Sequence, residues 1–171
     1  MSRRQLRKDW SEAYAKQAAA DYEAFKQLRV AGWTPQSQGL HFLQMAAEKL
    51  CRYYRCLTTN DAADLQSTHA VVEATIPLVL TATAGIGSGP ATRPRRRAPT
   101  ATVRRIGREI DLLGPSLDAN GQRPDNCEYP WEISGEVRVP ADQTFAIAGL
   151  LEEADGRRIL TLFERAIDDQ L

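Results

Sequence analysis

Only two histidines occur in the 171 residues, His41 and His69, and they bound the imidazole chemistry open to this chain. Neither has a Cys or His three or four positions away and no HExxH is present, so neither a metal site nor a cofactor is expected. No Gly-x-Ser-x-Gly elbow accompanies them, and solitary imidazoles of this kind read as packing or hydrogen-bonding groups. No catalytic residue is assigned. The glycines of Gly85-Ile86-Gly87-Ser88-Gly89 invite comparison with phosphate loops. A helical pattern precedes them, Pro90 follows and no Lys-Ser/Thr pair is present, so they read as a flexible linker. The strongest local charge is the run Arg93, Arg95, Arg96, Arg97, followed by Arg104, Arg105 and Arg108. Guanidinium groups in such density neutralise phosphates and release counterions, which suits RNA or DNA. No aromatic residue interleaves them, so base stacking is not implied. A solvated loop, or one docked on the acidic C-terminal third, explains the run as well. Asn126-Cys127-Glu128-Tyr129-Pro130-Trp131-Glu132 sets two aromatics and two carboxylates in one loop. Such a loop either anchors itself on the core or walls a groove, and Glu128 or Glu132 needs an opposing partner for acid–base work.

These groups must be carried by helices. Trp10, Tyr14, Ala18, Tyr22, Phe25 and Leu28 recur at three- and four-residue steps, predicting a helix over residues 9–30 of about 33 Å. Gly32 and Trp33-Thr34-Pro35 stop it, and a second helix is expected to begin near Ser37 as its cap. Leu40, Leu43, Ala47, Leu50, Tyr54 and Leu57 form its stripe, so the two must pack antiparallel. A third helix is expected from Asp64 or Ser67 to Thr83, kinked at Pro77. Residues 85–100 hold three Gly, three Pro and four Arg and read as a loop or insertion. Val103, Ile106, Ile110 and Leu113 mark a fourth helix closed by Gly114-Pro115. Residues 118–131 read as loop and Val137 to Val139 as a short extended piece. Pro140 is placed to start a helix carrying Phe145, Ala148 and Leu151, and Asp155-Gly156 to separate it from a last helix over residues 157–167. The expected fold is all-α: one domain over residues 1–171, an antiparallel up-and-down bundle of four to six helices.

Composition agrees with a globular chain, at 43% hydrophobic and 26% charged. The net charge of zero conceals an asymmetry. Residues 1–110 carry 17 basic and 9 acidic side chains, whereas residues 111–171 carry 5 and 13. Three cysteines (Cys51, Cys56 and Cys127) without CxxC spacing argue against a disulfide framework. No apolar run is long enough for a signal peptide or a membrane span, so a reducing cytoplasm is the expected compartment.

With the helices placed, the chain resembles the HEPN superfamily of small helical bundles. Gly39-Leu40-His41-Phe42-Leu43-Gln44-Met45-Ala46-Ala47-Glu48-Lys49-Leu50 looks like the family's second-helix pattern. Thr68-His69-Ala70 stands where a His often opens the third helix, and Glu128-Tyr129-Pro130 is similar to the loop before the final helices. The resemblance implies a bundle, frequently dimeric, with a groove between helices that Glu48, His69, Glu128, Tyr129 and Trp131 would line. Catalytic members are metal-independent ribonucleases with an Arg four to six residues before a His. Here the nearest upstream arginines are Arg29, twelve positions before His41, and Arg55, fourteen before His69. The expected function is therefore a non-catalytic binding or adaptor module for a nucleotide, RNA or partner protein. That implies a toxin–antitoxin or stress setting, as a homodimer or beside a nucleotidyltransferase-type protein, away from membranes. Two alternatives stay open: a degenerate ribonuclease using His69 with Arg52 or Arg55, and a purely structural dimerisation protein.

Overall fold

Apolar residues at helical spacing build two long helices first, α1 (Arg3–Ala31) and α2 (Gln36–Thr58), in the computed structural model. The structure describes residues 3–58, 71–85, 100–115 and 126–170. Gly32 takes the left-handed conformation at φ +67°, which ends α1 and turns the chain back through Pro35. Antiparallel packing follows from the pairs it produces: Gly39 lies against Phe25 and Leu28, and Lys49 Nζ reaches Asp21 at 2.8 Å. Ser37 is not the cap of α2. It sits inside the helix, fully buried, and its hydroxyl has no partner.

Two shorter helices, α3 (Val72–Gly85) and α4 (Thr100–Asp111), pack on each other through Gly107. A Cβ there would fall 2.9 Å from Ile76 Cγ2 and 3.0 Å from Glu73 Cα, so only glycine permits this approach. The start of α3 is closed from across the interface. The Asp111 carboxylate accepts the Val72 N–H at 3.1 Å and the Glu73 N–H at 2.8 Å, taking two of the donors a helix start leaves open. Pro77 lies inside α3. Residues 64–70, where this helix was expected to begin, and 86–99 of the expected loop lie outside the described residues. Gly85 and Thr100, the ends of that expected loop, belong to α3 and α4.

The chain beyond residue 126 departs most from its sequence pattern. Trp131–Ile133 (β1) and Glu136–Arg138 (β2) pair as an antiparallel hairpin, where only the second piece was expected. Ser134 and Gly135, at φ +54° and +83°, form its two-residue turn. Pro140 opens a single 3-10 turn, Pro140–Asp142, and α5 (Ala146–Glu152) begins only after Phe145. The break before α6 (Ala154–Asp168) falls at Glu153, so Asp155 and Gly156 belong to the last helix. Gly156 marks crowding rather than a helix end: a Cβ there would collide with the main-chain oxygen of Leu150. Tyr22 ties α6 to α1 by donating its O–H to Leu160 O at 3.1 Å, and burial pushes its phenol up to about 12. Leu43, Leu50, Ile76, Leu113, Ile147 and Phe163 fill the core of this all-α bundle. No helix among the described residues is long and apolar enough to cross a membrane.

Candidate functional site

Two groups of polar side chains stand out: a seam along α2 and a face of α4. Ser37, His41, Gln44, Glu48 and Arg52 recur at three- and four-residue steps and so share one stripe of α2, beside the apolar one. Leu113 and Gly114 run past it, with the Cβ position of Gly114 only 3.3 Å from Gln44 Nε2. Leu113 O accepts the Cys127 N–H at 2.9 Å and the Cys127 thiol at 3.2 Å, which pins the next loop to the same place. Burial pushes the Cys127 thiol up to about 12, so it is an anchor and a poor nucleophile. Asn126 Oδ1 then accepts the N–H groups of Glu128 and Tyr129 at 2.9 and 2.6 Å, and this turn brings Glu128 to His41. His41 Nδ1 and Glu128 Oε1 are 3.5 Å apart, an ion-pair distance without hydrogen-bond geometry.

Glu48 is neutralised within its own helix. Arg52 Nε and Nη2 both reach Glu48 Oε1 at 2.8 Å and Gln44 Nε2 donates to Glu48 Oε2 at 3.1 Å, a fork that leaves little charge for a ligand. Tyr14, half-buried beside Arg52 and Glu48, has its phenol pushed up by burial. Of the five residues expected to line a groove, Glu48 and Glu128 come to the α2 seam. Tyr129 projects outward at 60% exposure, Trp131 is buried with its indole N–H unpartnered, and His69 lies outside the described residues. None of the four described members lines the molecule's described cavity, which opens between α1, α2 and α5. Among the described residues no group of three or more His, Cys, Asp or Glu could hold a metal ion.

No family model matches the chain, and no curated protein or solved structure is significantly similar to it.

The second group is simpler. Val103, Ile106, Gly107, Ile110 and Asp111 turn α4 inward, so Arg104, Arg105 and Arg108 fall together on its outer side, within about 100° of arc. All three are exposed, and none forms an ion pair among the described residues. Most other described cations are matched, and two matches join the basic and acidic parts of the chain: Lys26–Glu164 at 2.9 Å and Arg29–Glu152. Lys16, Arg157 and Arg158 also stand without an ion pair among the described residues, Arg157 donating instead to the main-chain oxygen of Glu152. Among the described residues, the ion pairs that join the two parts of the chain thus start from α1, not from α4. Arg93, Arg95, Arg96 and Arg97 lie outside the described residues.

The contact of His41 with Glu128 and the capping of α3 by Asp111 are not signalled in the sequence. The partners are distant along the chain, so no local spacing marks them. The Glu48–Arg52 pairing did have a signal, the i,i+4 order of acid before base.

Proposed function

We propose that this chain is a non-catalytic binding module whose ligand is RNA, held by its phosphates on the outer face of α4. The observation that carries this reading is the set of three exposed guanidiniums at Arg104, Arg105 and Arg108, none of them in an ion pair among the described residues. Four further arginines, Arg93, Arg95, Arg96 and Arg97, precede them in sequence and extend the same chemistry. The HEPN-like order of motifs supports a binding rather than a catalytic role, because the Arg–His spacing of that family's ribonucleases is missing. The neutralisation of Glu48 by Arg52 supports it too, since that pair offers neither a free base nor a free cation.

Anisotropy of a labelled single-stranded RNA tests the proposal. Each phosphate contact on a single strand contributes about 0.7 to the slope of log affinity against log salt. Replacing Arg104, Arg105 and Arg108 together by Gln should lower affinity at least about tenfold and flatten that slope by about 2. Binding that ignores the triple substitution, or a wild-type chain that fails to bind RNA at low salt, overturns the reading. One observation favours a second reading, metal-independent RNA cleavage: the carboxylate of Glu128 faces His41, a base–orienter arrangement.

A further inference from the structure

A cavity of about 430 Å³ opens where α1 turns into α2 and α5 covers the corner. That volume lies within the about 300–1,000 Å³ range of small-molecule sites. Its walls are Phe25, Leu28, Leu40 and Leu151, with the main chain of Gly39 and Gly149 between them. Two features decide what such a space would hold. The charged members of the lining, Arg29 and Glu152, already neutralise each other, and Arg29 also lies over the Phe25 ring at 6.0 Å. A charged ligand would have to break that pair, or enter without a counter-ion and bear the desolvation cost. Thr34 belongs to the lining, and its hydroxyl oxygen, buried behind that wall, has no hydrogen-bond partner; a turn about χ1 would be needed to present it to the cavity. A buried hydroxyl without a partner is costly, and a single hydrogen-bonding group on a ligand would relieve it.

We propose that this cavity is a binding site for a small uncharged, mainly apolar molecule carrying one hydroxyl or carbonyl group, which bonds to Thr34 while its apolar body lies among Leu28, Leu40 and Leu151. The site is independent of the RNA reading. Gly149 gives a direct handle on it, because a Cβ built there meets no atom within 4 Å. A leucine at this position has open space to enter, and in a helix it also removes glycine's conformational cost.

Methyl NMR on the whole chain tests the site with three probes of one chain length: octan-1-ol, octanoate and octylammonium. Octan-1-ol should shift the Leu28, Leu40 and Leu151 methyl signals saturably, and both ionic probes should bind at least about tenfold more weakly. Gly149→Leu should abolish the shifts while raising the melting temperature. Thr34→Val keeps the shape and removes the hydroxyl, and should weaken octan-1-ol about three- to tenfold. No saturable shift with octan-1-ol, an unchanged response in a folded Gly149→Leu, or an ionic probe that binds as tightly as the alcohol overturns the proposal. Should Gly149→Leu fail to fold, Thr34→Val decides: unchanged octan-1-ol affinity in that variant overturns the proposal.

Discussion

The α2 seam and the outer face of α4 hold similar residues in opposite electrostatic states. On α2 the side chains of Arg52 and Glu48 are each 11% exposed, and their charged groups satisfy each other. On α4 the guanidiniums of Arg104, Arg105 and Arg108 face solvent without a partner among the described residues. Burial is the cause of the difference. A charge taken out of water must be paired within the protein, and once paired it has little attraction left for a ligand. An exposed charge has no such obligation and keeps its full complement of donors. The charges of the seam are therefore taken up within the fold, whereas those of the arginine face have no ionic partner among the described residues.

The sharpest way to break that contrast is to cut the buried pair. Arg52→Ala leaves the Glu48 carboxylate buried without its guanidinium, and urea unfolding should show a loss of about 3 kcal/mol with RNA affinity unchanged. Replacing both residues by Met removes the charge together with its counter-charge, and stability should return to within about 1 kcal/mol of wild type. The α4 triple Gln variant is the reverse case. Its stability should stay within about 0.5 kcal/mol of wild type, although its RNA affinity falls. If Arg52→Ala weakened RNA binding as much as the α4 variant, the two regions would not be separable in this way.

Much of this architecture was legible in the sequence, and the failures have identifiable causes. The stripes of α1, α2 and α4 predicted helices because each buries one face along its own length, a local property. Ser37 was misread because a serine before an apolar run looks like a cap, whereas Gln36 already belongs to the helix. Asp155-Gly156 was misread because glycine beside aspartate resembles a helix break. The glycine is needed instead for the close approach of Leu150, which comes from a different element. The hairpin escaped because Ser134-Gly135 is a weak turn signal between strands of only three residues. At the sites, Arg104 and Arg105 followed from their own spacing, whereas the His41–Glu128 contact depends on the turn at Asn126 and on its anchor at Leu113.

Asp111 extends the comparison to a buried charge that has backbone donors instead of a cation. Burial raises its carboxyl above the ordinary 3.8, outweighing the Glu73 and Val72 N–H groups that favour ionisation. A raised value in the folded state means that the folded chain holds the proton more tightly than the unfolded one. The stability this group supplies therefore falls as pH climbs from 3.8 through the raised value, then stays level. Asp111→Asn keeps one acceptor for the α3 start and cannot ionise, so its unfolding free energy should lack that decline when urea curves are compared across the acidic range. Asp111→Ala loses both N–H partners and should cost about 1–2 kcal/mol at neutral pH. Identical pH profiles for wild type and Asp111→Asn would show that burial at this position costs nothing.

The smallest expected effect concerns His41 and Glu128, which lie between the two extremes. Their side chains are 29% and 22% exposed and their atoms 3.5 Å apart, too open and too long for the strong coupling of the Glu48–Arg52 fork. A double-mutant cycle on His41→Ala and Glu128→Ala should give a coupling below about 1 kcal/mol. The same variants discriminate the two functional readings. Under the binding reading, total RNA incubated with the chain and EDTA is recovered intact, for wild type and His41→Ala alike. Metal-free cleavage by the wild type that disappears in both His41→Ala and Glu128→Ala would make this pair the reacting centre. The weak coupling would then carry a different meaning: a base held loosely enough to exchange its proton, with the α4 arginines serving to bring RNA to it.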